Sequence, residues 1–171
     1  VLQIVAEAGE EIDRQLAGLQ RVELIRERHP LPELEYVFKH ALVQEATYET
    51  ILLDRRRRLH RRVAEGLEAL FPERVEELSG VLAYHYSHAE DWERAQVYLL
   101  KAGDQAGRIA ADAEALAHYR LALEAYARAF GDRWNPVERA TLERKIGEAL
   151  FRRGDHEQAL AHMRRALGFL G

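Results

Sequence analysis

Ala89-Glu90-Asp91-Trp92 followed by Ala95, Ala111-Asp112 followed by Ala115, and Gly154-Asp155-His156 followed by Ala159 are three versions of one hairpin signal. Their Asp residues stand 21 and then 43 positions apart, which is one helix plus a turn, then two helices plus two turns. A chain that repeats such a unit is a helical solenoid. That reading favours a scaffold or docking surface over an active site in this stretch, and it does not name what is bound.

Working outward, composition sets the limits. The chain has 171 residues, enough for one or two domains, and 47% apolar content, enough for a real core. The net charge of −4 gives no general case for nucleic acid or membrane binding. No Cys is present, which excludes disulfides, thiol chemistry and Cys-ligated zinc, and fits a cytoplasmic protein. No apolar run reaches the roughly 20 residues of a membrane span. The chain opens on Val1 rather than Met, so it is expected to be a fragment of a longer protein.

All four prolines, Pro30, Pro32, Pro72 and Pro136, fall at expected element boundaries, since proline removes a donor and clashes inside a helix. Before them, Ile12, Leu16 and Leu19 make a helical stripe from about Glu10 to Leu19. Val22 to Glu27 reads as a strand, His29-Pro30-Leu31-Pro32 as a turn, and Leu34 to Lys39 alternates with strand period. Helix then resumes near His40 and runs to about Leu53. A helix followed by a hairpin resembles the back half of a winged helix, whose leading helix is absent or confined to Val1–Ala8.

From Asp54, a candidate N-cap, the chain reads as helix throughout. Leu52, Arg56, Leu59, Val63, Leu67 and Leu70 form one stripe; Phe71-Pro72 ends it, and Glu73, Glu76 and Glu77 favour the start of a new helix. Val75, Leu78, Leu82, Tyr86 and Ala89 are that helix's buried face. Further helices are expected over Trp92 to Ala110, Ala113 to Phe130, Pro136 to Arg153 and His156 to Leu170. Small residues recur two turns apart, at Ala95 and Ala102, Ala115 and Ala122, and Ala159 and Ala166. Leu99, Tyr119 and Met163 lie between them, so neighbouring helices should pack closely with one large side chain filling the gap.

Two stretches resemble a tetratricopeptide repeat position by position. One runs from Ile146-Gly147 through Leu150, Gly154-Asp155, Ala159 and Met163 to Ala166; the other from Leu82-Ala83 through Tyr86, Asp91-Trp92, Ala95 and Leu99 to Ala102. The spacing of about 43 residues per helix pair exceeds the roughly 34 usual for that repeat, which implies longer helices. A second resemblance covers residues 34–126. Tyr36-Val37-Phe38-Lys39-His40-Ala41-Leu42-Val43-Gln44-Glu45-Ala46-Thr47-Tyr48, then Arg56-Arg57-Arg58-Leu59-His60-Arg61-Arg62-Val63-Ala64, then Leu82-Ala83-Tyr84-His85-Tyr86 resemble runs in bacterial STAND-type signal-transduction ATPases. Those include regulators associated with class III adenylate and guanylate cyclases, kinases or DNA-binding domains.

The resemblance implies a mainly α chain: a truncated winged-helix remnant with a β-hairpin over residues 1–53, then an antiparallel α-helical hairpin array of tetratricopeptide type over 54–171. It implies a non-catalytic module that couples partner or ligand sensing to an effector such as a nucleotide cyclase or transcription regulator. No Gly-rich phosphate loop ending in Lys-Ser/Thr occurs, so ATP binding is not carried onto these residues and no cofactor is expected here; the resemblance leaves room for ATP and Mg in an upstream domain.

Arg55-Arg56-Arg57-Arg58-Leu59-His60-Arg61-Arg62 is the densest charge run. Arg55, Arg57, Arg58, Arg61 and Arg62 are candidates for interdomain carboxylate or phosphate contacts, and they carry the alternative function, a nucleic-acid-binding regulator. Against that, they point around most of a helix and can pair with Glu65 and Glu68 at three- and four-residue spacing. Glu10, Glu11 and Asp13 on the first helix would repel DNA phosphate, so nucleic acid is not the expected partner. His85 and His88 have a spacing that can ligate metal, the basis of a third reading as a hydrolase, but no ordered third ligand follows; packed or capping histidines are expected. His40 and His60 have no Ser or Asp arrangement for nucleophilic catalysis and read as structural. Trp92 and Trp134 at helix starts are expected to wedge between helices, and the exposed faces show no aromatic pocket. No catalytic, cofactor or metal residue is assigned. The expected partners are proteins or neighbouring domains. Leu167-Gly168-Phe169-Leu170 is still apolar, so either the array continues beyond Gly171 or a second copy covers that edge.

Overall fold

Three turns of one geometry set the path of the chain. In the computed structural model, which describes residues 9–28, 35–131 and 133–171, Glu90, Ala110 and Gly154 all take positive φ, at 55°, 58° and 84°. The N–H groups of Asp91, Ala111 and Asp155 reach back to the carbonyls of Tyr86, Ala106 and Leu150 at 2.9–3.0 Å. Those of Glu90, Ala110 and Gly154 bond to Ser87, Gly107 and Phe151 at 3.0–3.2 Å. Each is a Schellman close that satisfies the last carbonyls of one helix and starts the next. Only the third uses Gly, which enters the left-handed region without the Cβ clash. Ala110→Gly is therefore expected to stabilise the chain by about 1 kcal/mol, read as a raised urea midpoint at unchanged slope. A lowered midpoint would refute this account of the turn.

Among the described residues the fold is mainly helical, with one small antiparallel sheet. The order is α1 (Gly9–Arg21), β1 (Ile25–Arg28), β2 (Glu35–Phe38), α2 (Ala41–Thr50), α3 (Leu53–Leu70), a 3₁₀ turn (Pro72–Arg74), α4 (Ser79–His88), α5 (Trp92–Arg108), α6 (Asp112–Phe130), α7 (Pro136–Arg152) and α8 (His156–Gly168). Strands β1 and β2 pair Ile25 with Phe38 and Arg28 with Glu35. The expected turn at residues 29–32 and the stretch 1–8, the one place left for a leading helix, lie outside the described residues. Among the described residues the substantial contacts join elements adjacent in sequence: α1 on β1, β2 on α2, and each helix from α3 to α8 on the next.

The small residues behave as read. Ala95, Ala102, Ala115, Ala122, Ala159 and Ala166 are all buried, with Leu99 and Tyr119 buried beside them. Two glycines extend the same logic. A Cβ on Gly103 would lie 2.5 Å from a Tyr119 ring carbon, and one on Gly147 would lie 3.1 Å from Met163 Cε and 3.2 Å from the Ala159 carbonyl. Gly103→Val should thus lower stability by about 3 kcal/mol through overpacking of α5 against α6, measured by thermal unfolding; a loss under about 1 kcal/mol would mean that Tyr119 swings clear.

Several expectations need correction. The helix from His40 stops at Thr50, and α3 begins at Leu53 after an extended Ile51-Leu52. Asp54 is not the cap of α3: Leu52 holds that position with no side-chain bond, and Asp54 sits one residue inside and pairs with Arg57 at 3.4 Å. Leu52, assigned to the stripe, is 79% exposed, and the face of α3 that is buried carries His60, Ala64 and Gly66. The helix after Pro72 starts only at Ser79, because the chain first makes the 3₁₀ turn. Of the three repeated Asp residues, Asp91 and Asp155 cap α5 and α8, each accepting an N–H at 3.3 Å, whereas Ala111 holds the cap position of α6. Asp112 instead accepts from Arg152 Nε at 2.6 Å and ties α6 to α7.

Candidate functional site

The helix order places α4 and α6 against opposite flanks of α5, and a groove of about 370 Å³ opens between them. Ala83 and Tyr84 of α4, Trp92 and Leu99 of α5, and Leu121 and Ala125 of α6 give it an apolar lining. Tyr84 and Leu121 are about half exposed and stand in one concavity. Ser87, His88, His118, Glu124 and Arg128 add polar groups. Arg128 lays its guanidinium over Trp92 at 4.5 Å from the ring centroid. The expectation of no aromatic pocket is therefore corrected: Tyr84 and Trp92 come together only because the Schellman turn at Glu90 folds α5 back on α4.

The groove continues, through Ser87, His88, Trp92 and Arg128, into a second concavity of about 450 Å³ lined also by Tyr48, Leu53, Arg56, Arg57 and Glu90. Beside it, Arg57, Arg58 and Arg61 line a third, shallower one with Asp54 and Ala89.

No protein-family model, curated protein or solved structure matches this chain.

The arginine run divides into separate tasks. Arg56 donates to the Ile51 carbonyl at 2.6 Å and the Glu49 carbonyl at 2.8 Å, closing the C-terminal end of α2, and stacks over Tyr48 at 4.8 Å. Arg57 pairs with Glu90 at 2.6 Å, and Arg61 approaches Asp91 at 3.6 Å, so both hold α3 to the turn between α4 and α5. Arg55 and Arg58 are exposed and form no ion pair among the described residues. Arg62 is half-buried and has an interaction partner. The expected pairing with Glu65 and Glu68 is not made. Glu65 takes Arg94 of α5 at 3.1 Å, and Glu68 turns inward to the hydroxyls of Tyr86, at 2.5 Å, and Tyr98.

Glu68 belongs to a recurring device, a carboxylate on one helix that accepts a tyrosine hydroxyl from another. Asp104 accepts from Tyr119 at 2.8 Å and pairs with Lys145 at 2.5 Å, which joins α5, α6 and α7. Glu138 accepts from Tyr126 at 2.6 Å. Burial and the adjacent carboxylate push Tyr86, Tyr98 and Tyr119 well above the usual phenol range, so all three stay neutral donors. Glu143, buried in α7, is met by His162 at 2.7 Å and Arg165 at 3.4 Å from α8.

The histidines also gather, and sequence reasoning missed the gathering. His60 Nδ1 lies 2.9 Å from His85 Nδ1, and His60 Nε2 lies 2.9 Å from the Tyr48 hydroxyl. His88 stacks on the His60 ring at 4.9 Å and on Tyr84 at 4.0 Å. Three elements, α2, α3 and α4, meet there. Burial first, then the neighbouring His85 and His88, pushes His60 down to about 4; burial and His88 lower His85 as well. Among the described residues no three His, Asp or Glu side chains are placed to hold a metal ion together. His40 stands exposed at the start of α2 with no capping bond. Trp134 stacks on Tyr126 at 4.2 Å under Arg139, wedged as expected. No helix among the described residues is long and apolar enough to cross a membrane.

Proposed function

We propose that this chain is a non-catalytic interaction and regulatory module of a multidomain signal-transduction ATPase, one that couples partner or ligand sensing to an effector such as a nucleotide cyclase or a transcription regulator. The observation that carries the reading is the groove between α4 and α6, an apolar concavity with half-exposed Tyr84 and Leu121 and a basic continuation. Concave surfaces of this kind suit an extended or helical protein segment. The run of residues 36–48, 56–64 and 82–86 supports the ATPase association, the winged-helix reading of residues 1–53 and the tetratricopeptide reading of the helices beyond. The nucleic-acid alternative has less support, because Arg56, Arg57 and Arg61 are held by carbonyls and carboxylates of the chain itself.

The test is the native chain, captured intact from its own cells, weighed and assayed for ATP hydrolysis. The expected mass is several times the 19.7 kDa of this sequence. Leu121→Glu, an exposed change in the groove, should alter the hydrolysis rate at an unchanged folded yield. A native chain of about the present size that hydrolyses no ATP would end the ATPase-module reading.

A further inference from the structure

The cleft changes character along its length. At the α4–α6 end it is apolar; beyond Trp92 it is lined by Arg128, Arg56 and Arg57, and then by Arg58 and Arg61. The chain as a whole carries −4, so this path is a basic exception on an acidic molecule. Some of that positive charge is already neutralised, notably Arg57 by Glu90 and Arg61 by Asp91. Two arginines keep unused capacity. Arg128 lies on Trp92 and Arg58 lies exposed, neither with an ion pair among the described residues. Arg57, paired with Glu90 and Asp54, helps to fix the wall between them. An unpaired guanidinium at a cleft wall gains a charge-assisted bond if a carboxylate arrives.

We propose that this cleft docks an acidic segment of a partner protein, with one apolar side chain on the Tyr84–Leu99–Leu121 surface and carboxylates on Arg128 and Arg58. The proposal rests on the interaction-module reading and names its partner by chemistry. The apolar end supplies the desolvated anchor on which affinity depends. The arginine end supplies attraction and orientation, since planar guanidinium forks match carboxylates. A nucleic acid fits less well. Its phosphates could use only the arginine end, and the apolar end would stay empty.

Trp92 reports on the site directly. It and Trp134 are the two tryptophans of the chain, so Trp134→Phe leaves the cleft residue as the sole indole. The probes are a short synthetic peptide of Asp and Glu carrying Leu and Phe, the same peptide with Lys for every acid, the acidic peptide with Ser for Leu and Phe, and duplex DNA. Calorimetry on the unsubstituted chain gives a second readout that does not depend on the Trp134 replacement. The first peptide should bind saturably, shift Trp92 emission and weaken as salt is raised. Its affinity should drop about tenfold or more with Leu121→Glu, and again with Arg58→Glu combined with Arg128→Glu. Equal binding of the Lys peptide, tighter binding of DNA, indifference to both sets of substitutions, or no saturable binding of the acidic peptide would each overturn the proposal. None of those results touches the module reading, which is decided by the mass and ATP hydrolysis of the native chain.

Discussion

Replacing Glu68 by Ala is expected to lower the stability of the chain by about 3 kcal/mol. Glu68 stands on α3 and accepts hydroxyls from Tyr86 on α4 and Tyr98 on α5, whose rings stack at 5.5 Å with planes 8° apart. Both rings are buried, so without the carboxylate two phenol groups lose their acceptor in a place that water reaches poorly. Each such orphan costs about 1–3 kcal/mol. Arg94 does not relieve this loss. It donates to the Tyr86 oxygen at 3.2 Å and cannot accept from it. Urea unfolding of Glu68→Ala measures the loss. Adding Tyr86→Phe and Tyr98→Phe to it should recover part of the stability, because the orphaned hydroxyls are then gone. A single-variant loss below about 0.5 kcal/mol would show that three helices are not held through this carboxylate.

The second large effect is a dependence on pH centred on His60. Its Nδ1 faces His85 Nδ1 at 2.9 Å, so one proton fits between the two rings and a second cannot. Its other nitrogen meets the Tyr48 hydroxyl, and the remaining faces meet Tyr84 and His88; Arg56 adds a positive charge over Tyr48. Burial and the two histidines hold His60 at about 4, below the ordinary value of 6.5 that the unfolded chain keeps. Between those values the unfolded chain binds the extra proton and the folded chain does not. Stability is therefore full above about pH 6.5, falls as the pH drops, and levels off near pH 4, with His85 shifted in the same direction. The expected loss is on the order of 2 kcal/mol. Urea unfolding at pH 7 and pH 5 reads it, and His60→Gln should flatten the slope between them. An unchanged slope in the variant would place the pH dependence elsewhere.

Much of the helical frame is written locally. Pro136 and Asn135 mark the start of α7, Asp91 and Asp155 mark α5 and α8, and the paired alanines mark the faces where helices meet. Local signals fail where two conformations compete for the same residues. Asp54 and Asp112 look like caps, yet each finds an arginine, Arg57 within its own helix and Arg152 on α7. Positive φ at Glu90 and Ala110 has no glycine to announce it; packing of the flanking helices imposes it. The site was harder still. Tyr86 and Tyr98 lie 18 and 30 positions from Glu68, and His60 lies 25 from His85. The groove joins residues 80–128, and no periodicity within one helix brings Tyr84, Trp92 and Leu121 to one wall. The arginine run was visible as composition, but which of its members stayed available depended on Glu90 and Asp91, supplied by a turn some 30 residues away.

Contacts among the described residues reach from each helix to the next and, through Glu65–Arg94, Glu68–Tyr98 and Asp104–Lys145, to the one after that. A pull on the two ends would load each junction together with the clamp that spans it. The helices should therefore yield in overlapping groups of three, with the weakest clamp setting the force at which the chain begins to give.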